Sequence, residues 1–174
     1  MNMPRSLMPP NIYNPNFDEL RTTVDGFHAS RARLGHQLGT ERIGLSLWSI
    51  PAGQAAYPYH FHLAEEEVLV LLEGDLALRT PTGWERIRRG DVVRFPAGED
   101  GAHQLVNDGA TDARFLAIST HGQPDIVLYP DQGKIGPAER NPDGHGLKLY
   151  FKLEDAVPYD HGIARPEVGD VDPA

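Results

Sequence analysis

The sequence predicts an all-β protein of the sandwich or barrel type, and three observations carry that prediction. Its 174 residues include Gly 18 and Pro 15, enough to make many turns and to interrupt helices. Short alternating or apolar segments of strand character recur between those turn residues. No segment of ten or more residues with helical period separates them, which disfavours a parallel α/β arrangement.

In chain order the predicted strands begin with GLSLWSI (44–50), EVLVLLE (67–73) and DLALRT (75–80), and continue with WERIRR (84–89), DVVRF (91–95) and HQLVN (103–107). ARFLAIS (113–119), DIVLY (125–129) and LKLYFKL (147–153) complete the series. Each is enriched in branched or aromatic residues. IPAGQ, EGD, TPTG, RGD, PAGEDG, NDGATD and PDQG separate them, with Gly supplying positive φ and Pro a preset bend. The length suits one domain over 1–174, with a core over 31–130. Residues 1–30 and 131–174 are richer in Pro, Gly, Asp and Asn and are expected to be irregular N- and C-terminal arms.

Charge narrows the partners. Lys+Arg 16 against Asp+Glu 25 gives −9, a sign that repels nucleic-acid phosphates and anionic lipid, so a small molecule or a metal ion is expected instead. No cysteine is present, which excludes disulfides and thiolate ligands. The longest apolar run, Val68 to Leu72, is far too short to span a bilayer, and the N-terminus has no apolar signal segment. A cytoplasmic protein is expected.

The chemistry concentrates in AYPYHFHLAEEEVLVLLEG (56–74). In an extended chain residues i and i+2 share a face, so His60 and His62 send two imidazoles into one space. Imidazole with a carboxylate suits a divalent Mn, Fe, Zn or Ni ion. Glu65, Glu66 and Glu67 all qualify, and strand parity does not choose among them, since both faces of EVLVLLE are apolar.

The stretch resembles the first motif of the cupin superfamily: a glycine, HxH, three or four residues, Glu, six residues, Gly. Here Gly53 leads, four residues separate His62 from Glu67, and six separate Glu67 from Gly74, so the resemblance selects Glu67. Glu65 and Glu66 are then expected to be solvated loop carboxylates. GDVVRFPAGEDGAHQLVN (90–107) resembles the second motif through Gly90, Pro96, Gly98, His103 and Asn107, departing from it by four residues rather than two before the histidine. From about Arg31 to Lys134 the chain is similar to small bacterial single-domain cupins that carry the working label of sugar-phosphate isomerases. They share the PAGEDGAHQL loop and the segment Tyr129, Pro130, Asp131 and Lys134.

The resemblance implies a cupin β-barrel (double-stranded β-helix or jelly roll), a homodimer, and His60, His62, Glu67 and His103 as ligands of a divalent metal ion. It leaves the function open among metal-assisted isomerisation of a small polar or anionic substrate, an Fe(II)-dependent dioxygenase, and a small-molecule binding or sensing protein without turnover. No catalytic acid or base is assigned. Tyr57, Tyr59, Gln104 and Asn107 lie near the ligands in sequence, and Glu99 and Asp100 in the loop before His103. Among Arg79, Arg86, Arg88, Arg89 and Arg94, one directed into the barrel would favour an anionic substrate, although alternation turns most of them to solvent.

Overall fold

The computed structural model describes residues 8–121, 124–139 and 146–164, so the outermost parts of both expected arms lie outside the described residues. Among the described residues the fold is built of sheet, with one five-residue α-helix, Leu34–Leu38. The predicted segments become β3 (Ile43–Ile50), β5 (Glu67–Glu73), β6 (Asp75–Thr80), β7 (Gly83–Arg88), β8 (Val92–Phe95), β9 (Gln104–Val106), β10 (Ala113–Thr120) and β11 (Asp125–Tyr129). Of LKLYFKL only β13 (Phe151–Lys152) is a strand.

Four further strands have no alternating pattern long enough to read. The expected N-terminal arm supplies β1 (Glu19–Arg21) and β2 (Ala29–Ala32), the histidine motif holds β4 (Phe61–His62), and the C-terminal extension supplies β12 (Lys134–Ala138). Among the described residues the strands form a six-stranded sheet in the order β1-β2-β3-β10-β5-β8, a four-stranded sheet β13-β12-β11-β4 and a three-stranded sheet β7-β6-β9. Their pairing is antiparallel and, among the described residues, does not close into the one ring of the expected barrel. Isolated bridges, His60 to His103 and Ala55 to Val106, stitch the histidine motif to the strand that follows His103.

Register defines what the large sheet presents inward. Arg31 pairs with Trp48, Trp48 with Phe115, and Phe115 with Leu71, so these four stand in one row on one face. Trp48 and Phe115 stack at 6.1 Å, and both belong to the main core with Ile50, Leu69, Leu71, Leu76, Leu78, Phe95 and Leu105. Burying each such side chain contributes about 1.5–3 kcal/mol. The opposite face carries Leu47, Leu45, Leu72 and Leu116, covered by Ile12, Phe17 and Leu34 of the N-terminal region.

Gly74 has φ 75° between β5 and β6, and a Cβ there would lie 3.0 Å from that of Ala113, so this turn needs both the conformation and the small size of glycine. That requirement explains its place at the end of the motif.

Candidate metal centre

His60 and His103 exchange both backbone hydrogen bonds, His60 N–H to His103 O at 3.1 Å and His103 N–H to His60 O at 2.9 Å. Side chains of such a directly opposed pair leave the same face, and the two rings lie 4.8 Å apart. His62, two residues after His60, adds a third imidazole 5.0 Å from the His60 ring. Glu67 opens β5 on the face shared with Leu69 and Leu71, and its Oε2 stands 3.6 Å from His62 Nε2 and 3.5 Å from His103 Nε2. Ligand atoms of His60, His62 and Glu67 all lie within 4.8 Å of one another. The structure thus brings His60, His62, Glu67 and His103 together.

The hydrogen bonds on the far side of each ring determine what faces inward. Nδ1 of His60 lies 3.0 Å from the Pro58 carbonyl, Nδ1 of His103 lies 2.9 Å from the Gly101 carbonyl, and Nδ1 of His62 lies 2.6 Å from Asp125 Oδ2. The two carbonyls only accept, so Nδ1 of His60 and of His103 donates, and an ionised Asp125 accepts from His62 Nδ1 in the same way; each ring in its neutral form then has its lone pair on Nε2. Burial pushes His103 below the usual imidazole range, against the opposing pull of the Glu67 charge and the Gly101 bond, and so favours the neutral ligand form. Phe95 stacks on His103 at 3.8 Å and fixes the ring plane.

Three Nε2 lone pairs and one carboxylate oxygen are a donor set that fits a divalent ion. With bonds of about 2.0–2.2 Å, ligand atoms on a common ion lie roughly 3–4 Å apart, the range in which His62 Nε2 and His103 Nε2 stand from Glu67 Oε2.

Gly101 prepares the His103 side. A Cβ at Gly101 would lie 1.8 Å from the Pro96 carbonyl oxygen, so only glycine lets the loop fold this tightly and aim its own carbonyl at His103 Nδ1. The four-residue spacing before His103 is absorbed by a 3-10 turn over Glu99–Gly101, leaving the imidazole in place.

Several sequence expectations change. Glu65, expected to be solvated, is 1% exposed and stands 3.9 Å from His62 Nδ1, because the turn folds it inward beneath the histidine. Glu66 does face solvent and pairs with Arg94 at 2.8 Å. Asn107 spends its amide on the Ile50 and Thr111 carbonyls, holding a turn rather than a ligand. Gln104 donates to the Tyr57 carbonyl, and Tyr59 lies beneath the Arg79 guanidinium. Tyr57 does reach the centre, edge-on to His60 at 4.7 Å and to His103 at 5.6 Å. Burial and then the Glu67 charge push its phenol well above the ordinary value, so it stays protonated. Glu99 and Asp100 are exposed.

Asp125 is the site residue that sequence reasoning missed. It is fully buried and sits on β11 diagonally across from His62, which pairs with Val127. The available signal was a single acid opening an otherwise apolar strand, too weak to read alone.

The arginines of 79–94 point away from this centre. Arg79 pairs with Asp131, Arg86 with Asp108 and Arg94 with Glu66, while Arg88 and Arg89 are exposed. Arg21 and Arg31 occupy the inward face instead, over the Trp48 ring at 4.6 and 5.1 Å.

Residues 46–119, which include all four converging side chains, match the family model described as a cupin domain. Over those residues the chain is similar to a cupin domain. It is similar to a candidate sugar phosphate isomerase from Acidithiobacillus ferrooxidans, with 29% identity over 81% of this chain and 83% of that one and a TM-score of 0.66. A cupin-superfamily sugar phosphate isomerase from Silicibacter pomeroyi shows 26% identity over 78% and 83% of the two chains, with a TM-score of 0.67. A predicted oxalate decarboxylase from Thermotoga maritima, at 23% identity over 69% and 98% and a TM-score of 0.51, shares the cupin fold. No curated protein matches the chain in sequence. No described helix is long and apolar enough to cross a membrane.

Proposed function

We propose that the cupin domain holds a divalent metal ion through His60, His62, His103 and Glu67 and acts on a small polar or anionic substrate by isomerisation of the sugar-phosphate type. The observation that supports this most is the ring arrangement: three imidazoles each have Nδ1 against a fixed acceptor, His62 and His103 bring Nε2 within 3.6 Å of Glu67 Oε2, and a ligand atom of His60 lies within 4.8 Å of that carboxylate. The likeness to a candidate sugar phosphate isomerase and to a second protein named as one, over about four-fifths of the chain, supports the substrate class.

The chemistry such an ion supplies when bound is Lewis-acid polarisation of a substrate carbonyl. The protein's own residues do the rest. Asp125 holds His62 in one orientation, Phe95 and Tyr57 shield the rings from bulk water, and Tyr57 remains a neutral phenol beside the imidazoles. The proposal includes a homodimer, to which the exposed Leu147, Leu149, Tyr150, Phe151 and Leu153 of the C-terminal extension contribute apolar surface.

Metal analysis of protein purified without chelator, followed by assays on aldose and ketose phosphates, tests the reading. Manganese, zinc or nickel with oxygen-independent conversion is expected. Iron with oxygen uptake would replace isomerisation by dioxygenase chemistry, and tight binding without conversion would leave a sensing protein.

A further inference from the structure

We propose that Arg31 and Arg21, supplied by the two N-terminal strands, form the oxyanion-binding subsite of this cupin domain and hold the charged tail of the substrate while its other end reaches the metal centre. The proposal rests on the metal-centre reading for the second half of that statement and on the inward face of the large sheet for the first.

Register places the arginines with the site. Arg31 pairs with Trp48 and Glu19 with Arg31, so Glu19, Arg31 and Trp48 share the face that carries Phe115 and Leu71; Arg21, two residues from Glu19, falls on it too. Glu67 lies on the same face, since it alternates with Leu69 and Leu71 along β5. Between the arginines and Glu67 the neighbouring positions are small, with Ser46 paired to Ala117 and Ser119 paired to Glu67. Aromatic contacts join the arginines to the histidines along one wall: the guanidiniums cover Trp48, Trp48 meets Tyr57 edge-on at 5.7 Å, and Tyr57 meets His60 at 4.7 Å.

The charges are arranged for capture. Arg21 Nε donates to Glu19 Oε1 at 2.9 Å, Arg31 Nη1 to Glu19 Oε2 at 3.4 Å, and Arg31 Nε to Ser46 Oγ at 2.9 Å. Two guanidiniums lean on one carboxylate, so the trio carries net positive charge inside a protein of net charge −9. Their side chains keep 35% and 25% of their surface, enough for an incoming anion to reach them yet shielded enough for the interaction to be strong. The guanidinium fork matches phosphate and carboxylate oxygens, and both chemistries belong to the same proposal. Glu19 stands in for the ligand and yields part of its contacts when one binds.

The test uses the full chain loaded with manganese and titrates it calorimetrically with inorganic phosphate and, separately, with acetate, while metal content is measured on the same samples. The variant Arg31→Met, which keeps an apolar cover over Trp48, is expected to weaken anion binding about tenfold or more without changing metal content. Glu19→Gln removes the internal competitor and is expected to tighten it, an effect that a purely structural ion pair would not produce. Whichever of the two anions binds in an Arg31-dependent manner identifies the tail as phosphate ester or carboxylate. Equal anion affinity in wild type and Arg31→Met, or no tightening in Glu19→Gln where Arg31→Met fails to fold, overturns the subsite. Wild-type protein that takes up no metal but shows Arg31-dependent anion binding overturns the metal reading and keeps the subsite.

Discussion

His62 Nδ1 and Asp125 Oδ2 are 2.6 Å apart, joining residues 63 positions distant in the chain across the pairing of β4 with β11. A buried carboxylate in that position fixes the imidazole plane and raises the donor strength of Nε2. Asp125→Asn keeps an oxygen acceptor but removes the charge, and is expected to weaken metal affinity about 10–100-fold while the fold survives. Competition against a chelator of known affinity measures it; unchanged affinity would remove Asp125 from the site.

Glu67 and Glu66 are adjacent in sequence and opposite in consequence. Glu67→Gln takes a charged ligand from the centre and is expected to abolish stoichiometric metal retention through gel filtration. Glu66→Gln breaks only an exposed pair with Arg94 and is expected to leave metal retention intact and stability within about 0.5 kcal/mol. Equal loss of metal in both variants would show that the wrong carboxylate has been chosen.

Gly101 tests the loop that carries His103. Gly101→Ala drives a methyl group into the Pro96 carbonyl, which must shift the segment whose own carbonyl orients His103. The expected result is a loss of metal affinity larger than that of alanine at the exposed Gly83, where φ of 124° strains the backbone but a Cβ meets nothing within 4 Å and the strain lies in a turn remote in sequence from the ligands. Comparable metal titrations for the two variants would dissociate the tight loop from the centre.

The metal-free protein should lose stability on acidification. His103 is held below its ordinary pKa by burial, so between the unfolded value near 6.5 and the lower folded value the unfolded chain binds a proton that the folded chain refuses. Stability is therefore complete above about pH 6.5 and falls below it, by up to about 1.4 kcal/mol per pH unit for this one group. Thermal midpoints of chelator-treated protein from pH 7.5 to 5 check the sign, and a rising midpoint would contradict it. Loaded protein should release its ion below roughly pH 6 as the imidazoles protonate. Retention at pH 4 would argue against histidine ligands.

The strands that sequence reasoning recovered share one property: their evidence is local. EVLVLLE and ARFLAIS are short runs rich in apolar residues between Gly- and Asp-bearing turns, and the sheet confirms β5 and β10 within a residue or so at each end. β1, β2 and β4 span 3, 4 and 2 residues, too few for a period to show, and they exist because β2, β3 and β11 respectively offer them edges. The same split runs through the site. His60 and His62 were legible because alternation along one strand is a local rule, and the choice of Glu67 followed from motif spacing.

From the chain alone came the all-β class, the turn positions and a compact set of ligand candidates, because each depends on residues a few positions apart. Tertiary structure alone decided that Glu65 turns inward, that Asp125 reaches His62, that the arginines of 79–94 face outward and that Arg21 and Arg31 stand over Trp48. Those outcomes depend on strand pairing between distant segments. Pairing sets which face each residue shows, and a slip of one position would reverse it.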